Sequence, residues 1–227
     1  MRLWKLTVGD VRLQWKSGFY GVYAIFTAVY VLALLAVPES ARQTVATVMI
    51  FTDPAAMGLF FMGALVLREK GQGVNLALAV SPVRIGEYCA AKLLSLTLIG
   101  LAVALILALV GGITNVAACL AGVLLSSILF SACGLIAAEK AKTLNQFVLL
   151  AVPFELLICL PPALLLFRID CPALTLHPGV AAVRLIYGDA QNPFLCLLIL
   201  AAWCVPALFL CVRSVKKHFL EIGGAAI

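Results

Sequence analysis

Charge is what this sequence has least of. Of 227 residues only 11% are Asp, Glu, Lys or Arg, while 64% are hydrophobic and the mean hydropathy is +1.15. A soluble domain is about 25% charged and about 45–50% apolar, and one of this size could not hide so much apolar surface. That excludes a soluble enzyme, a nucleic-acid-binding domain and a disordered chain. No G-x-x-x-x-G-K-[ST] loop occurs, so ATP is not bound by that device. H-E-x-x-H and G-x-S-x-G are missing as well. The two histidines, His177 and His218, fall on opposite predicted sides of the membrane and cannot share a metal. None of the eight cysteines forms a C-x-x-C pair. Cys119, Cys133, Cys159, Cys196, Cys204 and Cys211 lie in apolar runs, where cysteine behaves as a small hydrophobe. Cys171 stands alone in a predicted outer loop, which excludes an intramolecular outer disulfide and leaves a bridge between two copies open. No catalytic, cofactor-binding or metal-binding residue is assigned.

What the chain has is six apolar runs, at roughly 19–37, 46–67, 91–110, 116–138, 147–167 and 193–212. Each approaches the ~20 residues a helix needs to cross a bilayer. The expected fold is an all-α membrane protein, a single domain over 18–227 with six transmembrane helices, preceded by an amphipathic interfacial helix over 1–17. The first run exceeds the ~7–15 apolar residues of a signal peptide and ends at Val37-Pro38-Glu39 without a small-x-small site, so it is read as a retained span. Lys and Arg then set the orientation. Thirteen of the sixteen fall on one side: Arg2, Lys5, Arg12 and Lys16; Arg68, Lys70, Arg84 and Lys92; Lys140 and Lys142; Arg213, Lys216 and Lys217. Arg42, Arg168 and Arg184 fall on the other. Both termini are expected in the cytoplasm and the chain in the inner cell membrane. The net charge of +6 is absorbed by this bias, which points to anionic lipid headgroups and not to nucleic acid.

Residues 1–17 place Trp4, Val8, Val11 and Trp15 on one helical stripe, flanked by Lys5, Arg12 and Lys16. Such a helix lies in the interface with its indoles at headgroup depth. The inner loop 68–92 predicts a short helix with Val74 and Leu78 on one face, stopped at Ser81-Pro82 because a residue before proline is driven out of the helical region. Small residues recur every fourth position at Gly100, Ala104, Ala108 and Gly112, and again at Ala118, Gly122 and Ser126, marking close helix packing within the chain or between copies. Pro153 and Pro161-Pro162 make the fifth span irregular, with carbonyls that neighbours must satisfy. The outer loop 168–192 has room for a short re-entrant or surface-lying helix. Two acids fall inside spans: Asp53, before Pro54, and Glu155. Ionisable groups at that depth are costly and therefore candidates for a substrate path; Asp53 has the alternative of capping a helix that restarts at Pro54.

From Phe51-Thr52-Asp53-Pro54 through Arg68-Glu69-Lys70 and Ser81-Pro82-Val83-Arg84 to Glu87-Tyr88-Cys89-Ala90-Ala91-Lys92, the chain resembles the ABC type-2 exporter permeases. Within them it is most similar to the small fluoroquinolone-type drug-export permeases. The resemblance implies a half-transporter that pairs with a second permease copy, identical or related, and with separate ABC ATP-binding subunits. ATP and Mg²⁺ would be bound in those partners, with no cofactor in this chain. It also makes loop 68–92 the coupling element, with Arg68, Glu69, Lys70, Arg84 and Glu87 as its polar contacts and Val74 and Leu78 inserting into the partner. The cargo implied is an amphipathic drug, peptide or lipid-like molecule moved outward through a cavity between the two copies. Two other readings stay open from the residues: a non-transporting assembly or immunity module, and a secondary transporter. The second is weakened by sparse intramembrane charge and by the lack of an internal repeat.

Overall fold

The computed structural model describes residues 2–74, 83–166, 172–188, 190 and 192–222, and among these no strand occurs. Leu78, Ser81-Pro82, Arg168 and Cys171 lie outside the described residues. Helix α1 (Arg2–Lys16) turns into α2 (Phe19–Ala36) at Gly18, whose φ of 77° is open to glycine and strained for side-chain-bearing residues. The second span is one long helical rod in three parts: α3 (Glu39–Ile50), a π-helical turn (Phe51–Ala55) and α4 (Met57–Gly71). Pro54 has no N–H to donate and its ring would strike the carbonyl four residues back, so the backbone widens there instead of running straight. Helices α5 (Ile85–Val110) and α6 (Val116–Lys140) form the third and fourth spans, α6 starting on an Asn115 side chain that accepts from the Ala118 N–H at 3.0 Å. Next come α7 (Leu144–Leu166), a 3₁₀ turn (Pro172–Leu176), the short α8 (Pro178–Tyr187) and α9 (Pro193–Ile222). Six helical rods are thus long and apolar enough to cross a membrane.

The bundle is organised around α6, which packs against α4, α5, α7, α8 and α9. Small residues permit that. A Cβ on Gly134 would stand 2.4 Å from the Leu59 carbonyl oxygen, and one on Gly58 would overlap the Ser131 side chain. Gly100 faces the Pro54 carbonyl, Ala104 and Ala108 are fully buried, and Gly122 faces Leu185, so these positions of the small-residue rows pack inside the chain, while Gly112 is exposed. Along α2, α7 and α9 the opposite holds: Ile25, Leu32, Leu149, Leu160, Val205 and Phe209 are all well exposed. In water such a band would be untenable; in a bilayer it is the expected lipid-facing surface.

The fifth span departs from the expected irregularity, because α7 runs continuously through Pro153, Pro161 and Pro162. Pro161 and Pro162 leave the carbonyls of Leu157 and Ile158 without helical donors. The start of α8 covers both. The His177 imidazole lies beside the Leu157 carbonyl, while its Nδ1 accepts from the Gly179 N–H at 3.2 Å. Gly179 lies so close to the Ile158 carbonyl that a Cβ there would come within 2.1 Å of the oxygen. The short helix predicted in the outer loop is therefore packed into the bundle, with Val180, Ala181, Ala182, Leu185 and Ile186 buried.

Candidate functional site

One end of the bundle carries α1, the close of α4, the opening of α5 and the last turns of α6 and α9, and with them most of the basic residues. At its centre lies Lys92, only 1% exposed. An ammonium removed from water costs several kcal/mol unless well paired, and three elements supply its partners. Asp10 of α1 accepts from Nζ at 2.6 Å, Glu69 of α4 forms the second ion pair, and the Tyr88 hydroxyl donates to the other Glu69 oxygen at 3.0 Å. The Tyr88 ring lies 5.5 Å from Nζ. One turn along, Gln14 donates to the Ser95 hydroxyl at 2.9 Å. Burial pushes the Asp10 carboxyl above its ordinary range, and the pull of Lys92 offsets this only in part.

Beside this trio is a second knot. Lys70 donates to the carbonyls of Ala138 (2.9 Å), Glu139 (2.8 Å) and Ala141 (3.3 Å), closing the C-terminus of α6, and lies 3.4 Å from the Glu139 carboxylate. His218 of α9 approaches the same carboxylate at 3.5 Å. A cation at a helix C-terminus is favoured by both the free carbonyls and the helix dipole. Together the two knots fasten α1, α4, α5, α6 and α9 at one level.

The residues singled out from sequence divide on this geometry. Glu69 is 4% exposed and Lys70 half-buried, both committed to partners inside the chain. They stand behind the coupling surface and not on it. Arg68 is exposed and donates to the Ser17 hydroxyl at the α1–α2 turn. Arg84 is exposed, Val74 is half-buried, and Glu87 reaches back to accept from the Arg84 N–H at 3.3 Å, capping α5. Trp4 (71% exposed) and Trp15 (67%) point away from the bundle, while Thr7, Asp10 and Gln14 on the opposite stripe of α1 face α5. Asp53 does not cap α4: no side-chain cap bond is made at either end of the π turn. Its carboxylate lies beside the Tyr30 hydroxyl, and Oδ2 is buried with no hydrogen-bond partner among the described residues. Glu155 is half-buried on α7 near Cys159, and among the described residues no bond joins the two acids. Among the described residues no cluster of His, Cys, Asp and Glu could hold a metal.

Asp10, Lys92 and Glu139 were missed as site residues. A signal was present for Lys92, since a lysine two turns into an apolar helix must find a counter-charge. Its partners lie 23 and 82 residues away in sequence, and no local pattern links them.

A family model for the fluoroquinolones export permease proteins matches residues 1–214. Two fluoroquinolones export permease proteins of Mycobacterium tuberculosis, from strains CDC 1551 / Oshkosh and ATCC 25618 / H37Rv, are each 28% identical to this chain over 155 residues. That match covers 67% of this chain and 65% of each relative, so it spans just under two thirds of the relatives' own length.

Proposed function

The chain belongs to the fluoroquinolones export permease protein family, and from that membership we propose that it is the membrane subunit of an ATP-driven drug exporter. As a permease it is a transport subunit and not an enzyme. Separate ABC ATP-binding subunits supply the energy and hold ATP and Mg²⁺. Two permease copies enclose the path, the basic end faces the cytoplasm, and an amphipathic drug leaves outward between them. Asp53 and Glu155, two acids within the apolar spans that no ion pair holds among the described residues, belong to that path.

The observation that carries this reading is the Asp10–Lys92–Glu69 trio. Glu69 closes α4 just before the loop and Lys92 lies two turns into α5 just after it. A push on the loop is therefore received by a rigid base that includes α1, α4 and α5, and is passed on as rigid-body motion instead of being absorbed by local flexing. Of the described residues at the loop, Arg68, Val74, Arg84 and Glu87 are left for the ATPase, and Leu78 is assigned to the same role from sequence alone. Co-purification with the co-expressed ATP-binding subunit tests it. Val74→Asp combined with Arg84→Glu should abolish association and drug-stimulated hydrolysis while leaving the permease folded. Unchanged association in that variant would remove the loop from the coupling role.

A further inference from the structure

We propose that the cleft at the basic end, together with the apolar trough above it, binds one anionic phospholipid from the leaflet on that side. The cleft has a volume of about 670 Å³ and opens between the close of α4, the α6–α7 junction and the last turns of α9. Lys140 and Lys142, both exposed, stand on its rim with Lys217, while Lys70 and His218 lie deeper. Among the described residues that line it Glu139 is the one acid, and it sits buried at the base, facing Lys70 and His218. Lys140 and Lys142 thus bring positive charge to the mouth, at the end of the spans where headgroups are expected. Basic pockets between membrane helices are suited to anionic headgroups.

A basic mouth alone would fit any anion. What selects a lipid is the trough, a second cavity of about 220 Å³ along the same helices. Leu129, Cys133 and Ile136 of α6 form its floor, with Phe154 of α7 on one wall and Ala207 and Leu210 of α9 on the other. Ile136 and Lys140 are one turn apart on α6, as are Leu210 and Ser214 on α9, so trough and cleft stack on one face of both helices. From Lys140 to Leu129 the helix rises about 16 Å, against about 15 Å for half the hydrocarbon core of a bilayer. The far end is closed where the Trp203 indole donates to the Leu176 carbonyl at 3.1 Å, beside His177 and Pro178. A cationic mouth over a closed apolar trough one leaflet deep matches a phosphodiester headgroup with an acyl chain lying between α7 and α9. None of this depends on the transport reading.

Full-length protein in neutral detergent, titrated with phosphatidylglycerol or phosphatidylcholine, tests the site by native mass spectrometry and thermal shift. Phosphatidylglycerol should bind and raise Tm, and phosphatidylcholine should do neither to the same extent. Lys140→Gln with Lys142→Gln should weaken phosphatidylglycerol by about fivefold per lysine, as expected for basic residues at an anionic headgroup. Ala207→Trp fills the trough with every lysine intact and should weaken it too. Lys5→Gln with Lys16→Gln removes equal charge from the exposed face of α1 and should change nothing. Unaltered binding in the rim variant or in the trough variant would overturn the proposal, as would an equal loss in the α1 variant. Equal protection by inorganic phosphate would show an anion site without an acyl chain, and would overturn it as well.

Discussion

At the scale of single residues, Lys92 is where stability and transmission meet. Its ammonium is held by Asp10 and Glu69 in a setting with almost no water, so removing it leaves two acids without their cation. Breaking a buried pair costs about 3–5 kcal/mol, whereas replacing all its charges by neutral groups is often tolerated. Lys92→Met should therefore lower the thermal midpoint in detergent sharply, and Lys92→Met with Asp10→Asn and Glu69→Gln should recover most of the loss. If the triple variant is as unstable as the single one, packing and not charge is what Lys92 supplies. His177 carries the second residue-level expectation. Burial draws its pKa below the ordinary 6.5, outweighing the nearby Leu157 carbonyl, which favours the charged ring. Between the lowered value and 6.5 the unfolded chain binds more protons than the folded one, so stability is present above pH 6.5 and declines as pH falls below it. Thermal midpoints measured from pH 8 to pH 5 should show this decline, and His177→Gln should remove the part due to this residue.

At the scale of helices, the sequence was most legible where the cause is local. Length and apolarity are local properties, and the six spans follow from them, with the end displaced by two residues at Lys140 and by ten at Ile222, where the last helix continues into the basic tail. The outward placement of Trp4 and Trp15 likewise follows from the stripe on α1. What could not be read is what the other stripe of α1 meets, since Asp10 and Gln14 bond to Lys92 and Ser95 some 80 residues on. Glu69 and Lys70 were legible as charged ends of a span but not as inward-facing ones. The continuity of α7 was hidden for the same reason: the groups that cover its proline-freed carbonyls belong to α8. Close approach of α4 and α6 was foreshadowed only loosely, because Gly58 and Gly134 fall outside the small-residue rows. Gly134→Val would drive side-chain atoms into the Leu59 backbone, where nothing flexible can give way. The two helices must part, and the loss should reach about 1–3 kcal/mol or more, the cost of overpacking. Gly21→Val, at a position with open space around it, is the matched control and should leave the thermal midpoint near that of the parent.

Across the whole molecule, the scarce charge is arranged and not merely sparse. Six crossings bring α1 and the end of α9 to the same end of the bundle, where the structure gathers the two polar knots and the basic cleft. The same end holds thirteen Lys and Arg residues, against Arg42 and Arg184 elsewhere among the described residues. Basic residues near span ends resist translocation, so this end should remain in the cytoplasm. The two knots reinforce the arrangement, since they hold α1 and four of the six spans, α4, α5, α6 and α9, at one level. Fusion reporters give a direct check. Alkaline phosphatase joined after Gly188 should be active and a fluorescent protein joined there dark, whereas both should reverse when joined after Ile222. Activity of the phosphatase at both positions would require an odd number of crossings, which the six-rod bundle does not allow. Reversal of the whole pattern would instead place the basic end outside and withdraw the loop between α4 and α5 from any cytoplasmic ATPase.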